Sequence, residues 1–411
     1  MKSKLKDDAI LKISMIIIGT GTIIYWLIMI VSRGELLTTY FVNDTTNTYM
    51  DYFNMLANVS DLDPYKTYAN YPPLVFCFLR VMYHMLPIMP GGDDGFILRN
   101  YEPAQLGYIL FIITVLFCFI VLTSTWIKND DKYKWMYTFL LLTSGPMIFT
   151  IERGNFIIVA LIAVMFFLRY YDSDDIKLRI LAYIALSVAA AIKTYPAVFG
   201  LFVVDKRRWK EVFFLVVSGA ITFFAPFMAF GGKRDVIRMF QGIMISSGDQ
   251  ATIGSNYNFS LVNLRNMILE IFNINLCLSD LFFQLGGLVI SVIMFMLADE
   301  FYKKVIALTL MCIWTPAFSY TYMLVLFIPI LLILCTKNNT SKIDYFYGMC
   351  LSFLLCPIAL PFVFEESIYK FPISYSTAIL NIILLVMAGV LLVDVMSNKL
   401  RIIKTCKVDN A

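Results

Sequence analysis

Asp44 and Asp51 stand in one polar, aromatic stretch, Asn43-Asp44-Thr45-Thr46-Asn47-Thr48-Tyr49-Met50-Asp51-Tyr52-Phe53-Asn54. On a helix, their spacing would set both carboxylates on one face, two turns apart. A carboxylate at a membrane surface can take the proton of a sugar hydroxyl as general base, or hold a divalent cation. The plainer roles are a solvated loop charge or a helix cap. Lys193 is the second group, in Ala189-Ala190-Ala191-Ile192-Lys193-Thr194-Tyr195-Pro196. An ammonium inside an apolar run is costly, so it calls for a partner, and a phosphate is a natural one; snorkelling to an interface is the bland alternative. Glu152-Arg153-Gly154-Asn155 forms a tight link between two apolar runs. Such a charged pair must be solvated, paired or bound to a ligand. Asp63-Pro64-Tyr65 and Tyr71-Pro72-Pro73-Leu74 read as an extended entry into a helix. Gly254-Ser255-Asn256-Tyr257-Asn258-Phe259-Ser260 precedes Leu261 to Arg265. There Asn258 and Ser260 can cap a helix bearing Arg265, and Asn258-Phe259-Ser260 also fits a glycan acceptor triplet. The basic Lys233, Arg234 and Arg238 can meet lipid phosphates or water.

The elements that position these groups belong to a membrane. Of 411 residues, 60% are hydrophobic and 15% charged, against about 25% charged in soluble domains. The mean hydropathy is +0.76. Apolar runs near 13–32, 105–127, 135–151, 155–171, 180–204, 211–230, 281–298, 304–319, 320–336, 343–363 and 376–396 predict an all-α, polytopic bundle of about 10–12 membrane helices. The whole chain, 1–411, reads as a single integral membrane domain, with external loops 33–104 and 231–280 and C-terminal membrane helices over 281–396. Lys and Arg concentrate in the links at 128–134, 172–179, 205–210, 303–304, 337–342 and 399–407. They place those links, and the N-terminus, in the cytoplasm. The run 180–204 lies between two such links, so it cannot cross once. Pro196 predicts a break in its middle, and 73–90 becomes a juxtamembrane helix at the outer surface. The competing topology has 73–90 spanning and 180–204 crossing once, which leaves five Lys/Arg of two other links outside. The first run is too long for a secretory signal and no cleavage site follows it, so it is expected to stay as a helix. A single histidine, His84, speaks against His-rich metal sites and Ser-His-Asp hydrolysis. The eight cysteines show no metal or disulfide spacing, and the nearly balanced charge of +4 shows no basic face for nucleic acid.

In this order, the motifs resemble the GT-C glycosyltransferases, most closely glycosyltransferase family 87, which includes polyprenyl-phosphate-mannose-dependent mannosyltransferases. The matching residues are Asp51-Tyr52-Phe53, Asp63-Pro64-Tyr65, Tyr71-Pro72-Pro73-Leu74, Arg153-Gly154-Asn155, Ala191-Ile192-Lys193-Thr194-Tyr195-Pro196 with Arg207-Arg208-Trp209, and Asn258-Phe259-Ser260-Leu261 with Arg265. They span about half of the chain. The resemblance implies a GT-C fold and an inverting transfer of a sugar from polyprenyl phosphate to a glycan or glycolipid acceptor. That would serve cell-envelope biogenesis at the external face of a bacterial cytoplasmic membrane. It makes Asp51 or Asp44 the base, and assigns Lys193, Arg153 and Tyr195 to the donor phosphate. Asn155, Tyr71, Asn258, Ser260 and Arg265 fall to substrate binding. No cofactor is implied with certainty, and a divalent cation is compatible.

The residues alone leave rivals. A flippase or transporter of lipid-linked sugars would also suit a buried lysine, but it would be expected to show repeats in matching halves. An O-antigen polymerase or ligase would use external-loop arginines such as Arg234, Arg238 and Arg265. A structural membrane subunit would use none of them.

Overall fold

The computed structural model describes residues 9–35, 47–60, 63–87, 94–127, 133–253, 257–357, 360 and 373–408. Among these the secondary structure is helical; no strand forms, and Asn258 and Tyr320 make an isolated antiparallel bridge. The fold class is the expected all-α membrane bundle. Among the described residues, five helical stretches are long and apolar enough to cross a bilayer: Ala9–Val31, Glu102–Trp126, Trp209–Ala229, Asp280–Leu297 and Tyr375–Leu400. Their exposed side chains are largely apolar, for example Phe213, Val216 and Ile221, as lipid rather than water demands. The other predicted spans are shorter or broken helices.

The chain forms two compact units. One comprises residues 37–252. Its helices are α2 (Met50–Asn58), α3 (Pro73–Met85), α4 (Gly95–Arg99), α5 (Glu102–Trp126), α6 (Lys134–Leu142), α7 (Gly145–Arg153), α8 (Ile157–Tyr170), α9 (Ile176–Ile192), α10 (Leu201–Asp205), α11 (Trp209–Phe224) and α12 (Lys233–Ile253). The second joins 1–36 to 253–411. It holds α1 (Ala9–Val31), α13 (Leu261–Phe272), α14 (Asp280–Leu297), α15 (Phe301–Trp314), α16 (Ile328–Thr336), α17 (Lys342–Leu355) and α18 (Tyr375–Val408).

In the second unit α1 lies against α17. A Cβ on Gly348 would come within 2.8 Å of Ile10 Cγ2, and the Cys356 thiol reaches the Ile17 carbonyl at 3.6 Å. In the first unit, the run 180–204 breaks where proline predicts. α9 stops at Ile192, Lys193 is extended (φ −136°, ψ 129°), and a 3-10 turn over Tyr195–Gly200 leads into α10. The two ends of this run lie together. Arg179, in the first turn of α9, pairs with Glu211 of α11 at 3.2 Å. Arg208 holds Asp172 at 2.7 Å, and Lys206 also pairs with Asp172. The links that flank the run therefore meet one another. The predicted juxtamembrane helix is α3, opened by Pro73 in its first turn.

Candidate active site

The site grows from a close approach between α2 and the α7–α8 link. α7 ends at Gly154 in the left-handed region, φ +67°. A side chain there would be strained, and its Cβ would sit 2.9 Å from Tyr52 Cβ and 3.2 Å from the Tyr49 carbonyl oxygen. Only glycine allows this backbone to come so near. Tyr49, itself left-handed (φ 62°), donates its N–H to the Glu152 carbonyl at 2.6 Å. These contacts set the first turn of α2, with Asp51, against the last turn of α7.

Arg153 Nη2 donates to Asp51 Oδ1 at 2.6 Å, and Asn155 Nδ2 donates to Oδ2 at 2.7 Å. The Asn155 carboxamide is itself fixed, because its oxygen accepts from the Ile157 N–H at 3.0 Å. A carboxylate at a helix N-terminus and a guanidinium at a helix C-terminus each sit favourably in the helix dipoles. Each carboxylate oxygen has two lone pairs, so the seat leaves each oxygen of Asp51 one position for a further proton or hydroxyl. Tyr52 walls the seat among Tyr108, Phe111 and Phe156, at centroid distances of 5.0, 5.6 and 6.0 Å.

Glu152 is buried, 7% exposed. Burial pushes its carboxyl up to about 7; Arg153 and the Thr48 hydroxyl act against that rise, and Asp51 adds to it. The polar link suggested a local Glu152–Arg153 pair, yet the short ion pair runs from Arg153 to Asp51, 102 residues away.

Lys193 stands at the α9 break, with its ammonium 3.7 Å above the Tyr71 ring and within electrostatic reach of Asp51. Tyr71 is held in turn: its carbonyl accepts the Tyr65 hydroxyl at 2.8 Å. The Asp63-Pro64-Tyr65 segment is tied down by Arg238 and Arg234, at 2.9 and 3.1 Å from Asp63 Oδ2. Those two arginines therefore engage protein and do not simply face lipid or water. Tyr195 opens the 3-10 turn just beyond Lys193. An apolar groove of about 650 Å³ is lined by Ala190, Thr194, Val198, Val204, Leu215 and Phe224, among others. It begins beside the same break.

Within residues 37–252 the structure thus brings together Asp51, Arg153, Asn155, Lys193 and Tyr71. Asn258, Ser260 and Arg265 belong to the other unit, where they have framework contacts. Ser260 caps α13, accepting from the Asn263 N–H at 3.1 Å, and donates to the Ala317 carbonyl at 2.9 Å. The Asn258 carboxamide oxygen accepts from Ser260 and Ser319 N–H at 3.1 and 2.9 Å. Asn258 is buried, so the glycan acceptor triplet is closed to an attached sugar. Arg265 pairs with Asp280 at 2.5 Å. Asp44 lies outside the described residues, and α2 begins only at Met50. Among the described residues no three of His, Cys, Asp and Glu converge as metal ligands would.

The family model of glycosyltransferase family 87 matches residues 68–357, well over half of the chain. The match takes in Tyr71, Arg153, Asn155, Lys193, Tyr195, Asn258, Ser260 and Arg265, and begins after Asp44 and Asp51. Comparison with curated proteins and with solved structures returned no match.

Proposed function

This chain belongs to glycosyltransferase family 87, and from that premise we propose that it transfers a sugar from polyprenyl phosphate to a glycan or glycolipid acceptor of the cell envelope, with inversion. The observation that carries the reading is one carboxylate, Asp51, seated by Arg153 and Asn155 within electrostatic reach of a lysine at a helix break. The acceptor oxygen attacks the anomeric carbon, the bond from that carbon to the phosphate oxygen breaks, and polyprenyl phosphate leaves. The acceptor proton passes to Asp51. Asp44 is the alternative base.

Lys193 and Arg153 supply positive charge for the departing phosphate, and such charge, fixed in place beforehand, lowers the barrier. Tyr195, Tyr71 and Asn155 complete the donor and acceptor contacts around it, and Asn258, Ser260 and Arg265 are also proposed to bind substrate. The groove beside Thr194 suits the apolar prenyl chain, which reaches the site sideways through the bilayer. With the basic links cytoplasmic, 33–104 and 231–280 face outward, in the cytoplasmic membrane of a bacterium.

Purified protein in liposomes, offered polyprenyl-phosphate sugars or nucleotide sugars, tests the donor. Transfer from the lipid phosphate alone is expected. Transfer from a nucleotide sugar with none from the lipid would overturn the reading. Impermeant labelling of single cysteines tests orientation: labelling beside Arg207 and protection beside Asp63 would reverse it.

A further inference from the structure

Among the described residues, Glu152 is an acid beside Asp51 that the proposed reaction does not use. Its position is fixed from two sides. The Tyr49 N–H holds its carbonyl at 2.6 Å, and the Tyr108 hydroxyl holds the preceding Ile151 carbonyl at 2.5 Å. The side chain is therefore kept inward, and both of its carboxylate oxygens are buried without a well-formed hydrogen bond. The Thr48 hydroxyl lies close enough only to ease that burial in part.

Asp51 and Tyr52 face this region from α2, Tyr49 from just before it, Tyr108 from α5, and Arg153 from its own helix. Arg99, of α4, is spent on the Thr48 carbonyl at 3.2 Å. α8 opens with Ile157, Ile158, Val159, Ala160 and Leu161, and its one charge, Arg169, stands in its last turn on the Thr125 carbonyl; the one charge of α6 is Lys134 in its first turn. Arg153 is thus the cation next to Glu152, and it is already engaged with Asp51 at 2.6 Å.

We infer that Glu152 is a positioning residue of the site and works uncharged: as the neutral acid it leaves the Arg153 guanidinium to Asp51, and as the carboxylate it draws that guanidinium away. The inference rests on the reading of Asp51 as the base. An ionised Glu152 would put a second negative charge beside Asp51 and compete with it for Arg153, and like charges at short range cannot both be accommodated cheaply. Raising the pH through about 7 should ionise Glu152 and loosen the seat of Asp51.

Two measurements on the full-length protein in liposomes test this. The first is the infrared carboxylic-acid band of the wild type against Glu152→Gln. A band present in the wild type, missing in the variant and lost as pH passes about 7 is expected; a Glu152 ionised across the whole range overturns the inference without reference to any sugar. The second is the pH profile of transfer. The neutral fraction falls about tenfold between about pH 6 and about pH 8 for a group titrating midway. Wild-type transfer should fall with it, and Glu152→Gln, which cannot ionise, should lose most of that decline. An unchanged decline in Glu152→Gln overturns the positioning role. If the band titrates as expected but no preparation transfers sugar from polyprenyl phosphate, the proposed reaction fails while Glu152 remains a neutral buried acid.

Discussion

Two charged clusters, one in each unit, are built on opposite plans. The cluster at the head of α15 and α17 is closed. Lys303 pairs with Glu300 at 2.8 Å and Asp394 at 2.7 Å. Lys337 pairs with Asp344 at 2.8 Å and also with Glu300. The Tyr302 hydroxyl donates to Asp344 at 2.6 Å, and Asp344 closes a capping box with Ser341. Every acid has a lysine, and the whole network ties neighbouring helix ends together. At Asp51 the arrangement differs. One carboxylate is seated, its neighbour Glu152 is buried without a well-formed hydrogen bond, and Lys193 rests on an aromatic ring. A network whose members satisfy one another serves stability; one that keeps unused capacity in a low-dielectric setting is organised for a ligand or a reaction.

Breaking each cluster should therefore give opposite phenotypes. The largest effect expected is on chemistry. Asp51→Asn keeps the shape but removes the basicity, and should lower transfer about 10²–10⁴-fold, with donor binding and thermal midpoint nearly unchanged. Single-turnover assays beside lipid-donor binding would separate these; a near-normal rate would move the base to Asp44 or end the assignment. Lys337→Ala should do the reverse. It leaves Asp344 buried without its cation, costing about 2–3 kcal/mol, less than a fully buried pair because Glu300 and Lys337 keep some water. Thermal unfolding in detergent checks it, and loss of transfer by folded protein would erase the contrast.

Gly154→Ala should fall between the two. Its strained backbone and the crowding against Tyr49 and Tyr52 cost about 1–3 kcal/mol, and transfer should drop because Asp51 loses its seat. The smallest effect expected is on pH dependence, and its sign differs between the clusters. Glu152, raised to about 7 from 4.5, contributes stability fully below about pH 4.5 and loses it as pH rises through about 7. For Glu300, burial acts upward, but the lysine hydrogen bonds outweigh it and hold its carboxyl below the ordinary range. Its contribution is full above the ordinary value and is lost as pH falls through the lowered one. Unfolding midpoints of Glu152→Gln and Glu300→Gln should depart from wild type at opposite ends of the pH range.

Much of the fold was legible because its signals are local. The membrane runs, the proline-directed break after Lys193 and the helix start at Pro73 each depend on a few neighbouring residues. Arg153 and Asn155 could be singled out because an Arg-Gly-Asn link between apolar runs is conspicuous, but their hold on Asp51 could not be read from it. What stayed hidden depends on distant partners. Asp63 meets arginines 171 and 175 residues away, and nothing in Asp-Pro-Tyr announces them. The burial of Glu152 was equally invisible, since neighbours such as Tyr49 and Tyr108 come from other parts of the chain. The closed network of Glu300, Lys303, Lys337, Asp344 and Asp394 stayed hidden for the same reason.

The contact between Cys356 and Ile17 joins positions 339 residues apart. During synthesis α1 is complete long before α17 exists, and the whole unit 37–252 is made in the interval. A water-soluble protein would have to shield such an orphan from aggregation. Here the bilayer itself is the holding place, because an apolar helix is already in a favourable solvent once inserted, and later packing needs only lateral encounter. The order of assembly follows from the connectivity: the unit carrying Asp51 and Lys193 can mature on the nascent chain, while the unit that begins with α1 is necessarily the last to close.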